Sequence, residues 1–235
     1  AYRYLANDLS DILTIPVQAG LSIDLTSYIG ELSDIAAFES EAVEGKVDDI
    51  SKVKIKNEVS DGAHKATIKL ADGTIFTFYF SVNPAFSGTY YINYKNGDHE
   101  VPVFVGYNED LDNAKNVGFK LMAQGHYSPT AEADKIFTVT PTNVGFKLCV
   151  QGKYLKAPNF SGWNHLMFSD NLTEAGIYLF EEVSTNVFKM LGLSDADNIK
   201  YVNDYDNLIF GNDKADKENL ATFVITPAHT FPLPV

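Results

Sequence analysis

The chain has 235 residues, 45% hydrophobic and 21% charged, enough to bury a sizeable core in one or two domains. Its formal net charge of -13 repels phosphate backbones and anionic headgroups, which argues against nucleic acid and bare membrane surfaces as partners. No apolar run is long enough to cross a bilayer, and no basic stretch followed by an apolar one opens the chain at Ala1.

The lone Cys149 has no internal partner and falls within an apolar strand pattern, the setting of a buried, inert thiol. With 13 Tyr, 16 Phe and frequent Thr and Val in its patterned segments, the chain favours strands.

Residues 1–84 read as short strands separated by turns. Pro16 confines the run at 12–17 to a sheet edge, and residues 22–25 supply a second short strand. Across 31–47, Leu32, Ile35, Ala36, Val43 and Val47 could share a helical stripe, but Gly45 and the many acids reduce it to a loop or one helical turn. Residues 53–56 alternate as another strand. The clearest hairpin joins 65–70 to 76–82 through Asp72 and Gly73, a pair that favours a tight turn matched to the twist of its strands. Alternation puts Phe76, Phe78, Phe80 and Val82 on a buried face and Thr77, Tyr79 and Ser81 on a wet one. This predicts a small antiparallel β-sandwich. Residues 17–25, with Ala71-Asp-Gly-Thr74 before the last strand, resemble the immunoglobulin-like modules of bacterial surface proteins. There is no Cys-Trp-Cys core, so an antibody-type domain is excluded.

Pro84 and Gly88 break the strand pattern, placing a boundary near residue 85 and predicting domains over 1–84 and 85–235. Beyond it the chain repeats itself. Residues 143–148 (Asn-Val-Gly-Phe-Lys-Leu) return at 186–191 (Asn-Val-Phe-Lys-Met-Leu), 43 positions on, and the Leu-Met-Phe ending at Phe168 returns as the Leu-Ile-Phe ending at Phe210, 42 positions on. Three strands beginning at Phe137, Tyr178 and Phe223 each carry two large residues two apart, which point the same way. They close three lobes, at about 87–142, 143–185 and 186–228, each of four strands. The copy of the motif at 116–121 reads as the third strand of the first lobe, and the alternative phase starts a truncated lobe there.

A twelve-strand threefold array with lobes near 42 residues, opening on Ser-Gly-Thr-Tyr-Tyr-Ile at 87–92 and carrying Gly-Lys-Tyr-Leu at 152–155, resembles the β-trefoil, in particular its ricin-B-like and fascin-like branches. The resemblance covers residues 87–228 and implies an all-β chain with an Ig-like sandwich ahead of a β-trefoil. The Gln-x-Trp signature of ricin-type lectins is absent, so their binding positions are not transferred.

No phosphate-cradling glycine loop, HExxH, GxSxG or Cys/His zinc spacing occurs, and the five histidines are scattered. The informative segments join the second and third strands of each lobe: Tyr107, Asp110 and Asp112 in the first, Asn159, Trp163, Asn164 and His165 in the second, Asp204, Tyr205, Asp206 and Asn207 in the third. Each mixes an aromatic with amides or carboxylates, the combination that stacks on the C–H face of a sugar and binds its hydroxyls. Turn chemistry alone also collects these residue types, and Trp163 could instead fold back as a lid on the barrel. Asp110, Asp112, Asp204 and Asp206 are hard oxygen donors, but no loop has EF-hand spacing, and no metal or cofactor is assigned. Lys153 and Tyr154 read as structural.

The expectation is a non-catalytic binding protein, secreted, cell-surface attached or periplasmic with its leader removed, that recognises a glycan. The alternatives are a protein-adhesion module without sugar binding and a glycan-degrading hydrolase with converging carboxylates between the domains.

Overall fold

A computed structural model describes residues 13–108, 118–124, 128–157, 164–195, 198–205, 208–212 and 221–228. The chain is all-β and divides into two compact units, one within residues 1–87 and 141–145, the other within 88–140 and 146–235.

In the amino-terminal unit the strands are β1 (Thr14–Val17), β2 (Ser22–Ile23), β3 (Ile35–Glu39), β4 (Val53–Lys54), β5 (Gly62–Leu70) and β6 (Ile75–Val82), with one helical turn α1 (Thr26–Ile29). The main sheet runs β1-β6-β5-β3, and β2 pairs with β4. The β5–β6 hairpin has the predicted faces: Phe78, Phe80 and Val82 are fully buried, and Phe78 meets Phe38 and Phe80 edge-on at 6.3 and 5.2 Å. Its loop is three residues long. Gly73 takes φ 87° and donates its N–H to the Leu70 carbonyl, while Leu70 N–H bonds Thr74 O, a type I turn followed by a left-handed residue.

Three expectations are corrected. β1 does lie at a sheet edge, but it pairs with β6 in parallel, so the sheet is mixed and not antiparallel. The long chain between β1 and β6 permits that crossover, and alternation along a strand says nothing about the direction of its neighbour. The segment read as loop or helical turn contains β3, which lies along β5 with an irregularity between Ile35 and Ala37. Pairing with β5 and packing of Ile35 and Phe38 against the core override the high helical propensity of Ala36 and Ala37. Ser81, predicted wet, is 7% exposed.

The carboxy-terminal unit comprises β7 (Gly88–Asn96), β8 (His99–Asn108), β9 (Gly118–Ala123), β10 (Ile136–Pro141), β11 (Phe146–Val150), β12 (Lys153–Leu155), β13 (Asn164–His165), β14 (Phe168–Ser169), β15 (Ile177–Ser184), β16 (Val187–Asp195), β17 (Asn198–Tyr205), β18 (Leu208–Asn212) and β19 (Thr222–Pro227). Six of these make a closed ring. β7 pairs with β10, β10 with β11, β11 with β15, β15 with β16, β16 with β19, and β19 again with β7. Six of the remaining seven strands form three antiparallel pairs, β8–β9, β12–β14 and β17–β18. These hold one another: β9 pairs with β18, β18 with β13, and Lys120 bridges Met167. Closure of this kind removes the free edges that a single lobe would expose.

The residues used to align the three lobes fill the ring. Phe137 on β10, Tyr178 on β15 and Phe223 on β19 are each 0% exposed, with Ile92, Leu148 and Met190 buried on the strands beside them. Burying an aromatic of this size contributes about 2–3 kcal/mol. The Tyr178 hydroxyl donates to the Lys156 carbonyl, and burial pushes that phenol well above its usual range. The Phe-Lys-apolar motif keeps one burial pattern on the ring strands β11 and β16 and on β9 outside the ring. Phe119, Phe146 and Phe188 keep some exposure, whereas Leu121, Leu148 and Met190 are buried.

Cys149 is half-buried on β11 and not fully enclosed, and burial pushes its thiol above the ordinary range despite a backbone hydrogen bond at Gly152. Less thiolate is therefore present at neutral pH. Labelling with an aromatic disulfide reagent at pH 7.5 is expected to run at least several-fold slower than for glutathione, and to accelerate in denaturant. Labelling as fast in the folded protein as in denaturant would show that the thiol is not shielded.

Candidate functional site

The β8–β9 hairpin places Tyr107 directly opposite Phe119. Their rings lie 5.3 Å apart at 53°, and both stay open to solvent, Tyr107 at 51% and Phe119 at 37%. Phe104 and Val105 before Tyr107 are buried, as is Met122 on β9, so the hairpin is anchored below the exposed pair. Exposed aromatic pairs carry a cost in water unless something covers them.

Beside the pair lies a cleft of about 550 Å³, lined also by Ser128, Thr130, Asp134, Gln151 and Lys153. Its volume is in the range of small-ligand sites. Asp134 sits in the 3-10 turn Glu132–Lys135 and is 6% exposed. Its Oδ2 accepts hydrogen bonds from Thr130 Oγ1 and Ala131 N–H, both at 2.7 Å, and its Oδ1 accepts one from Gln151 Nε2. Three donors thus hold a buried carboxylate in place. On the same turn, the hydrogen bond from Lys135 holds the Glu132 carboxyl below its usual range.

Gln151 is unusual in its backbone. Gln151 and Gly152 form the two-residue turn between β11 and β12, at φ 49° and 73°. That conformation suits the twist of the hairpin, but a long side chain at the first position is disfavoured. The other non-glycine residues at positive φ are Asp34, Asn83 and Asn186, types that tolerate it. Gln151 takes this conformation where its amide donates to Asp134 at the cleft wall.

Lys153 follows that turn. Its Nζ lies 4.0 Å from the centroid of the Phe119 ring and 2.7 Å from Asp170 Oδ1. The residue read as structural from sequence is therefore part of the cleft wall, joining the aromatic pair to the acid that immediately follows β14.

Of the residues expected to bind ligand, Tyr107 alone lines this cleft. Trp163, Asn159, Asp110, Asp112, Asp206 and Asn207 lie outside the described residues. Asn164 and His165 form β13, Asp204 and Tyr205 end β17, and Tyr107 is on β8, so all five are strand residues where loops were expected. The ladders extend further than turn composition suggests, to Asn108 opposite Gly118 and to Tyr205 opposite Leu208. The strands β13 and β17 both flank β18, whereas β9 stands between β18 and the strand of Tyr107.

Among the described residues, no cluster of three or more His, Cys, Asp or Glu is placed to hold a metal ion. Among the same residues, no helix is long and apolar enough to cross a membrane.

Reasoning from sequence missed Phe119, Asp134, Gln151 and Lys153. Phe119 was visible as a member of the repeated Phe-Lys-Leu motif, and Gln151 as the residue ahead of Gly152, but neither pattern shows which elements meet.

No protein-family model matches the chain, and no curated protein does. Among solved structures the chain is similar to "SeviL bound to asialo-GM1 saccharide", at 15% sequence identity and a TM-score of 0.40, over 61% of this chain and 100% of that one. A likeness of that size fixes neither fold nor ligand.

Proposed function

We propose that the carboxy-terminal unit is a β-trefoil and that the protein is a non-catalytic, extracytoplasmic glycan-recognition protein, binding in the cleft beside Tyr107 and Phe119. The amino-terminal unit is read as an Ig-like spacer. The trefoil reading is supported by the closed six-strand ring with its three mutually linked strand pairs. The observation that carries the glycan reading is the exposed Tyr107–Phe119 pair set against polar side chains. Such rings pack on the apolar C–H faces of a pyranose, while hydroxyl and amide groups take its hydroxyls.

Binding is favoured over hydrolysis by the state of Asp134. Glycoside hydrolysis ordinarily uses two carboxyl groups flanking the bond, and among the described lining residues Asp134 is the one carboxylate, with three donors already bonded to it.

The test is a screen of the purified chain against an oligosaccharide array, followed by calorimetry on any hit. Tyr107→Ala and Phe119→Ala are each expected to weaken binding at least tenfold, equivalent to about 1.4 kcal/mol. Far-UV circular dichroism checks that the variants fold. Unchanged affinity in both folded variants would remove the cleft from the account, and a silent array would remove the glycan.

A further inference from the structure

We infer that the cleft selects uncharged glycans, because each described charge lining it is already matched by a protein partner. This rests on the glycan reading above and narrows it to a class of ligand.

An anionic sugar, bearing a uronate, sialate or sulfate group, is held by a cation with donors to spare or by a cluster of backbone N–H groups. The cation lining this cleft is Lys153. One direction of its ammonium is taken by Asp170 at 2.7 Å, and another is set over the Phe119 ring at 4.0 Å. An incoming carboxylate would either share the ammonium with Asp170 through the third N–H, where the two anions repel each other, or displace Asp170, which exchanges one carboxylate for another and leaves the Asp170 charge unpaired beside the new anion.

The opposite wall adds to the discrimination. Asp134 is buried and accepts from Thr130, Ala131 and Gln151, so its oxygens take up the donors that an incoming anion would need on that wall. A cationic sugar fares no better, since the oxygens of Asp134 are occupied by these donors and Lys153 faces the same volume. The chain as a whole carries -13, which disfavours approach of polyanions at low salt. Among the described residues, what is left for a ligand is the ring of Tyr107, the face of Phe119 away from Lys153, the Ser128 hydroxyl and the acceptor oxygens of Thr130 and Gln151, each of which already donates to Asp134. That set suits a sugar presenting hydroxyls and C–H faces.

The experiment uses matched pairs: cello-, malto-, galacto- and N-acetylglucosamine oligosaccharides, each compared with its counterpart oxidised at C6 to the uronate. Affinities are measured by calorimetry for the full chain and for Asp170→Asn, at 50 and 300 mM NaCl. Asp170 is 83% exposed, so the substitution leaves the fold in place. The expected result is that the neutral member binds at least tenfold more tightly than the oxidised one and shows little salt dependence. In Asp170→Asn, with Lys153 released, that preference should narrow at least threefold. Equal or tighter binding of the oxidised member by the unmodified chain would overturn the inference while leaving the glycan reading intact. An unaltered preference in Asp170→Asn would overturn the role given to the Lys153–Asp170 pair, and with it the inference. If neither member of any pair binds, the glycan reading itself falls.

Discussion

Phe223→Ala is expected to destabilise the carboxy-terminal unit by about 3–5 kcal/mol, the cost of emptying a well-packed aromatic site. Phe223 is 0% exposed, its ring stands 6.0 Å from that of Tyr94, and its strand pairs with both β7 and β16. The cavity it leaves would lie in the middle of a closed ring, where the strands are tied on both sides and cannot collapse inward. A loss of that size shifts a thermal midpoint by on the order of 10 °C for a domain of this length. Calorimetric unfolding of the full chain checks it. Phe137→Ala, at the matching place on β10, should cost a similar amount if the lobes are structurally equivalent. A loss below about 1 kcal/mol in both variants would mean that these rings do not fill the interior.

The second large effect is expected at Gly176. A Cβ built there would lie 2.4 Å from Ala157 N, 2.6 Å from Ala157 Cα and 2.8 Å from the Lys156 carbonyl carbon. All three are backbone atoms, so no side chain can swing aside. The approach is fixed from several directions: Gly176 N–H bonds Leu155 O at 2.8 Å, Lys156 bridges Ala175, and the Tyr178 hydroxyl reaches the Lys156 carbonyl. Gly176→Ala must push this strap away from β15, at an expected cost of roughly 3 kcal/mol, the upper end for overpacking. Gly97→Ala serves as the contrast. Its position has open space and φ 58°, so conformational strain of about 1 kcal/mol is all that should appear. Urea denaturation of both variants separates the cases, and equal costs would show that the strap yields freely.

The parts of this fold that were legible in sequence are those where pattern and burial coincide. Phe137, Tyr178 and Phe223 stand out because each begins a strand with a second large residue two places on, and that is the face the ring encloses. Phe78 and Phe80 were legible for the same reason. What alternation cannot carry is partner choice. The parallel neighbour of β1 and the pairing of β3 with β5 both depend on contacts far away in the chain, and β3 is too short and alanine-rich to declare itself. The cleft was the least legible feature. Tyr107 was picked for its composition alone, whereas Phe119, Asp134, Gln151 and Lys153 come from three further elements that meet only once the hairpins are laid against the ring. Lys153 in particular looks like any strand lysine until its neighbours at Phe119 and Asp170 are in place.

The seam between β7 and β19 joins residues about 130 positions apart, from Thr222 opposite Lys95 to Pro227 opposite Tyr90. During synthesis, β7 and β16 therefore wait with bare hydrogen-bonding edges until β19 clears the ribosome, since each depends on it for a neighbour. Nascent chains halted before Thr222 should be prone to pair with one another, and chaperone dependence should end abruptly once that strand emerges.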